Sequence, residues 1–288
     1  MVRIRMKEHI QEAIVEFGER MTRRAATPAT RGLFVVDEKS EPLVKKKADR
    51  FVSVVMKLLW VCKRGRPDIE TPVSFLCTRL SVCTEQDWAK LRRLMHFLHD
   101  TIDDERIISA ENLVDLFTWI DASYAVHNDM RSHTGGTMSF GRGVIHSKSS
   151  KQRINTKSST ESEVVGVSDY LPYNIWVEYF LEAQGYTLRS NIIYQDNQSA
   201  IRMEKNGRDS CGQKSRHIHI RYFFIKDRIR AGNVSVEFCP TELMLADFFT
   251  KPLQGSLFKK FRRVVMGYDP LSVLQDEYAA RLKERAEK

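Results

Sequence analysis

No stretch of this sequence is long or apolar enough to span a bilayer. The longest apolar run, Phe51 to Cys62, is 12 residues and is broken by Lys57, against the roughly 20 residues a membrane helix needs. Cysteine is sparse and shows no pairing pattern. The five residues, Cys62, Cys77, Cys83, Cys211 and Cys239, are odd in number, scattered, and contain no Cys-x-x-Cys pair. That argues against a zinc site or a disulfide framework and for reduced thiols. No Gly-x-x-x-x-Gly-Lys-Ser/Thr loop occurs, which argues against a nucleotide-driven motor. No Ser/His/Asp or Cys/His arrangement has the context of a nucleophile and its base. No signal-peptide pattern opens the chain, and there is no internal repeat or low-complexity tract. The expectation is an intracellular chain, cytoplasmic or nuclear, with no membrane partner and no small-molecule cofactor.

What the sequence does have is core material and an uneven charge. Its 288 residues suffice for one large or two modest domains. Net charge is +9, and its distribution says more than its total. Residues 131–157 hold six basic side chains and no acidic one; residues 202–230 hold nine basic against three acidic. Those segments flank two short apolar runs that each end in a carboxylate. Leu116 to Ile120 leads into Asp121-Ala122-Ser123, and Ile192 to Gln195 leads into Asp196-Asn197. Both read as buried strands. Period-two alternation puts Asp121 on the face of Trp119 and Phe117, and Asp196 on the face of Tyr194 and Ile192. Acids at the carboxyl ends of strands suit a cleft above an α/β sheet. A basic rim around them suits a polyanion.

Along the chain, His9 to Phe17 has helical spacing, followed by an irregular, charged stretch to Lys47. From Phe51 the pattern is firmly helical, and Thr84 with Asp87 forms a capping pair ahead of Trp88, Leu91, Leu94, Met95 and Leu98. Strands begin after Asn112. His133 to Gly136 reads as a turn, with strands at Thr137–Phe140 and Gly143–Lys148 on either side of Gly141-Arg142. Ser159 or Thr160 caps a helix whose stripe runs Val164, Ser168, Leu171, Ile175, with Pro172 expected to kink or end it. Further expectations are a short helix from Asn197 through Met203, a helix from Arg216 to Arg230, a strand at Asn233–Phe238, and a helix from Thr241 carrying Asp247. Residues 273–288 read as a charged helix.

This running order, with Asp121 in DAS, Glu161 in SSTESE, Asp196 in YQDNQSAI and Asp247 in ADFFTKPL, resembles the ribonuclease H domain of copia-type LTR retrotransposon polyproteins. Upstream, Gly65-Arg66-Pro67-Asp68-Ile69, Asp87-Trp88-Ala89 and the Leu94 to Thr101 helix resemble the thumb and connection at the end of the reverse transcriptase. The catalytic Tyr-x-Asp-Asp of that polymerase does not occur, so polymerase activity is not expected. The resemblance implies an α/β chain: an RNase H-like five-stranded mixed sheet flanked by helices, preceded by a small, mostly helical subdomain. The expected divisions are an incomplete reverse-transcriptase remnant at 1–49, the helical thumb/connection-like part at 50–110, the RNase H-like domain at 111–268 and a charged helical tail at 269–288.

The activity implied is metal-dependent cutting of the RNA strand of an RNA/DNA hybrid, with the remaining reverse transcriptase or polyprotein as a further partner. By the resemblance Asp121 bridges two metal ions, Glu161 and Asp196 hold one, and Asp247 holds the other. Glu163 is the rival to Glu161, which is favoured by its place in the first helical turn and its match to the family's Glu. Independently, carboxylates about 4 Å apart repel by roughly 4 kcal/mol per pair at an effective dielectric of ~20, so a cluster of them calls for cations. Oxygen-only ligands select Mg²⁺, with Mn²⁺ as a substitute.

Candidate nucleic-acid contacts are Ser123, Gly135, Gly136, Lys148, Lys151, Arg153, Asn197, Gln198, Arg216 and His217, the short polar ones as readers of 2′-hydroxyls. The rival readings are a catalytically silent RNase H-like binding fragment of a decayed or domesticated element, and an integrase or transposase core, which runs on three carboxylates.

Overall fold

A computed structural model of the chain describes residues 1–206 and 219–286. The apolar run that ends in Asp121 is the central strand of the larger sheet, β3 (Asp115–Ser123). On one side it pairs antiparallel with β4 (His133–Ser139), which pairs antiparallel with β6 (His146–Lys151). On the other it pairs parallel with β7 (Ser190–Gln195), which pairs parallel with β8 (Ser235–Phe238). The order β6-β4-β3-β7-β8 is the five-stranded mixed sheet expected of an RNase H-like fold. A smaller sheet joins β1 (Val2–Ile4), β2 (Arg106–Ala110) and β5 (Gly141–Arg142).

Alternation along β3 gives the sheet two faces. Leu116 and Ile120, with Met138 and Ile193, pack under α5 (Ser159–Ala183), α6 (Gln198–Asn206) and α7 (His219–Arg230). Phe117 and Trp119 face the other way, and Trp119 stacks on Tyr194 at 5.2 Å between ring centroids. That second face is covered from both ends of the chain. The cover comes from α1 (Lys7–Phe17), α2 (Lys45–Arg64), α3 (Glu70–Cys77) and α4 (Glu85–Asp100), together with α8 (Asp247–Thr250) and α9 (Gly255–Val265). A final helix, α10 (Ser272–Ala286), packs through Leu274, with Leu271 buried just ahead of it.

Buried ion pairs pin this cover in place. Asp68 is bracketed by Arg66 at 2.8 Å and Arg262 at 2.8 Å. Its burial opposes ionisation, yet the two guanidiniums hold its carboxyl down to about 2. Glu70 pairs with Lys63 and accepts the Ser149 N–H at 3.0 Å. In this way α3 is fastened over β6, the edge strand that would otherwise present open backbone groups.

Several local expectations change. The Thr84–Asp87 capping box is present. Ser158, not Ser159 or Thr160, caps α5 by accepting the Glu161 N–H at 3.2 Å. The helix runs through Pro172 to Ala183, because tight packing on both sides outweighs one lost backbone bond. Past Asp196, a 3-10 turn at Thr241–Leu243 and the single turn α8 replace one continuous helix. The helix expected from Arg216 is described only from His219.

The Gly135–Gly136 pair is the clearest reversal. It lies mid-strand in β4 rather than in a turn, paired with Asp121 and Ile120. A Cβ on Gly136 would sit 2.2 Å from the Tyr170 ring, and one on Gly135 would sit 2.9 Å from the Ala246 carbonyl oxygen. These glycines exist for close approach of α5 and α8. Gly136→Ala is therefore expected to cost about 3 kcal/mol in urea unfolding. Gly166→Ala, whose Cβ would meet nothing nearer than 3.5 Å, should be neutral or gain up to about 1 kcal/mol of helix propensity. Equal costs would contradict this packing.

Candidate functional site

Three elements converge where β3 and β7 end. Asp121 is the seventh residue of β3, Asp196 follows β7 directly, and Glu163 comes from the start of α5. Their carboxylate oxygens lie within 4.8 Å of one another. Asp247, first residue of α8, stands beside them: the Lys251 ammonium is 2.6 Å from Asp247 Oδ1 and 3.6 Å from Asp121 Oδ2. Two hydroxyls orient the strand acids. Thr250 donates to Asp121 Oδ2, and Thr241 donates to Asp196 Oδ2 at 2.9 Å.

The structure thus gathers Asp121, Asp196 and Asp247 but replaces Glu161 with Glu163. Glu161 is directed back along the helix start, where its carboxylate accepts the Lys157 N–H at 2.7 Å. Glu163 is buried, and its Oε2 has no hydrogen-bond partner among the described residues. Two residues along a helix is a rotation of about 200°, so only one of the two glutamates can face the strand ends.

Electrostatics follow from this crowding. Burial first, then the charges of Asp121 and Asp196, push Glu163 well above the usual carboxylate range. Burial and Asp121 also raise Asp196, and they raise Asp247 to about 8. Lys251 is held charged by Asp121 and Asp247 against its own desolvation. Burial and the adjacent Asp196 and Asp247 push the Cys239 thiol up to about 12, so it is no nucleophile. Beneath the cluster, Glu204 is fully buried beside Gln195, and burial raises it to about 8.

The remaining expected contacts divide. Gln198 and Arg153 are exposed. Asn197 spends its Oδ1 on the Ala200 N–H at 3.1 Å, and Ser123 donates to the Thr250 carbonyl at 3.3 Å. Lys148 donates to the Asp169 carbonyl at 3.2 Å, and Lys151 pairs with Asp129 at 2.6 Å. Gly135 and Gly136 are buried under Thr250 and Tyr170, which closes them to a phosphate. Arg216 and His217 lie outside the described residues. Sequence reading missed Lys251, although its spacing of four from Asp247 on one helical turn was a usable signal. It also missed Glu204, for which no signal exists.

No protein-family model matches the chain. Among curated proteins it is 24% identical over 264 residues to the retrovirus-related Pol polyprotein from transposon TNT 1-94 of Nicotiana tabacum, covering 90% of this chain and 20% of that protein. It is 29% identical over 202 residues to the corresponding polyprotein from transposon RE2 of Arabidopsis thaliana, covering 69% of this chain and 14% of that one. For transposon RE1 of the same plant the figures are 30% over 198 residues, 68% and 13%. The chain therefore spans a fifth or less of the length of these relatives. Among solved structures, that of LC11-RNase H1 isolated from compost aligns with 46% of this chain and 91% of its own, at 12% identity and a TM-score of 0.35. By sequence, the chain is a relative of the retrovirus-related Pol polyproteins of plant copia-type transposons, matched over most of its own length.

Proposed function

We propose that this chain is a divalent-metal-dependent endoribonuclease that hydrolyses the RNA strand of an RNA/DNA hybrid. The observation that carries the reading is the convergence of Asp121, Glu163 and Asp196 within 4.8 Å. Asp247 stands alongside, and a buried Glu163 oxygen has no partner among the described residues. Such a cluster is stable only if protonated or neutralised by cations. Its donors are all oxygens, which fits Mg²⁺ or Mn²⁺ and not a softer metal. Asp121, Glu163, Asp196 and Asp247 would hold the ions. Two such ions, when bound, would supply an activated water and compensation of charge on the leaving oxygen.

The chain's own groups do the rest. Thr250 and Thr241 fix the carboxylates of Asp121 and Asp196, so little reorganisation is needed when a phosphodiester arrives. Lys251 offsets part of the mutual repulsion of Asp121 and Asp247. Burial of three of the four acids keeps bulk water from the reacting phosphate. Gln198, exposed at the start of α6 two residues after Asp196, would meet a 2′-hydroxyl. The polyprotein context of the relatives supports a role beside a polymerase.

The test is cleavage of a labelled RNA/DNA hybrid in Mg²⁺ or Mn²⁺, with RNA/RNA and DNA/DNA duplexes alongside. Cutting confined to the RNA strand of the hybrid, and abolished by EDTA, is the expected result. Hybrid binding without cutting would replace this reading with that of a silent binding module.

A further inference from the structure

A lysine stands inside the acid cluster, and its contacts are selective. The Lys251 ammonium lies 2.6 Å from Asp247 Oδ1 and 3.6 Å from Asp121 Oδ2, so it bridges an acid of α8 to an acid of β3. Among the described residues, the acids whose oxygens all come within 4.8 Å of one another are Asp121, Glu163 and Asp196. Asp247 is not one of that set. The four carboxylates thus divide into three gathered for one ion and a pair, Asp121 with Asp247, already spanned by an ammonium.

Three observations set this apart from an ion pair that merely fastens α8. The turn is fastened without it: Thr250 donates to Asp121 and Thr71 donates to the Phe248 carbonyl at 2.8 Å, both from buried side chains. The Lys251 side chain is 39% exposed, whereas those of Asp121 and Asp247 are 3% and 6% exposed. The ammonium can therefore leave for water while the acids stay. Its backbone is extended, at φ −127° and ψ 138°, as the residue before Pro252 must be, so any such motion is confined to the side chain. An ion held by Asp121 and Asp247, at the roughly 2.1 Å of a Mg²⁺–oxygen bond, draws on the same oxygens, and two cations at contact distance repel. We propose that Lys251 is a resident competitor for the second divalent ion. This rests on the reading of the acid cluster as a metal site. The ions then bind in unequal steps, the first to Asp121, Glu163 and Asp196, the second only as the Lys251 ammonium swings to solvent. Lys251 acts on metal occupancy, and the doubly loaded state depends steeply on divalent-ion concentration.

The test needs no substrate. Mn²⁺ is titrated into the full chain, into Lys251→Met, which keeps most of the stem and removes the charge, and into Lys251→Arg, which keeps the charge. Calorimetry gives the number of ions and their affinities, and electron paramagnetic resonance detects spin coupling between two neighbouring ions. The native chain should bind its first Mn²⁺ at least about tenfold more tightly than its second. Lys251→Met should bind the second ion at least about tenfold more tightly than the native chain does, with the first changed by less than about threefold. The coupled signal should appear at correspondingly lower Mn²⁺, and Lys251→Arg should titrate like the native chain. Melting separates competition from fastening. Lys251→Met should melt below the native chain in EDTA but level with it or above it in saturating Mn²⁺; a fastening pair would leave the variant lower in both. Unchanged second-ion affinity in Lys251→Met, or a melting deficit that persists in Mn²⁺, would overturn the inference and leave the metal site standing. No Mn²⁺ bound by any of the three chains would remove the metal-site reading itself, and this inference with it.

Discussion

Glu163→Gln is expected to lower hybrid cleavage by roughly 10²–10³-fold, the size of effect seen when one preorganised electrostatic group is removed from an active site. Glu161→Gln is expected to stay within about twofold of the native rate. The two substitutions are isosteric and only two residues apart, so the contrast isolates which glutamate faces the strand ends. A second readout separates a catalytic loss from damage to the fold. In EDTA, Glu163→Gln should melt at a higher temperature than the native chain, because it removes a buried carboxyl that lies among like charges with an oxygen unpartnered. Asp121→Asn and Asp196→Asn should likewise abolish cutting. Full activity in Glu163→Gln alongside loss in Glu161→Gln would return the role to the first turn of α5.

The second large effect is on stability against pH. Glu163, Asp196, Asp247 and Glu204 all have carboxyl pKa values raised in the folded chain, chiefly by burial. Such groups bind more protons folded than unfolded. The stability they contribute is complete below the unfolded value near 4 and is lost as pH rises through the folded value, about 8 for Glu204. Three histidines, His127 and His133 buried and His146 half-buried, act in the opposite sense at lower pH. His127 and His146 are lowered to about 4 and His133 to about 3, in each case first by burial. They destabilise as pH falls below about 6.5. The two sets oppose each other up to that pH, and above it only the carboxyls act.

The metal-free chain should therefore change least in stability between about pH 4.5 and 6.5, where the two sets largely offset each other. It should then lose about 1.4 kcal/mol per pH unit for each carboxyl still titrating, up to about pH 8. Millimolar Mg²⁺ should remove most of that loss, leaving the part due to Glu204, which Glu204→Gln would remove in turn. Thermal melts at pH 6.5 and 8, with and without Mg²⁺, check this. A flat profile in EDTA would mean that the acids do not repel as their burial requires.

Two of the three clustered acids were legible because each closes an apolar run, and the end of a strand is where an α/β sheet presents its side chains. Asp247 was legible from its motif, since the single turn that carries it has no periodicity to read. The glutamate was not, for a reason of helical phase. The stripe Val164, Ser168, Leu171, Ile175 extrapolates back to residues 160–161. The stripe that meets the sheet, Val167, Tyr170 and Asn174, extrapolates back to 163. Alpha5 buries both stripes along much of its length, so its sequence alone does not say which one points at the strand ends. The two glycines misled for a related reason: Gly-Gly marks a turn when the backbone must bend, and a strand when something must come close. Only the positions of Tyr170 and Thr250 distinguish the two.

The cover over the Trp119 face also bears on what a cut in the backbone could do. One core is filled by residues from α1–α4 and again from α8–α9, and Thr71 donates a 2.8 Å hydrogen bond to the Phe248 carbonyl, beside Asp247. A nick in the loop at 111–114 would thus not liberate an independent catalytic half. It would yield two fragments that complement each other, as in a split protein, and co-elute until denatured. Apart, the larger fragment would expose Phe117, Trp119 and Tyr194 and lose the scaffold that sets Asp247. Any nuclease activity of the sheet would then report on the presence of the helices in front of it.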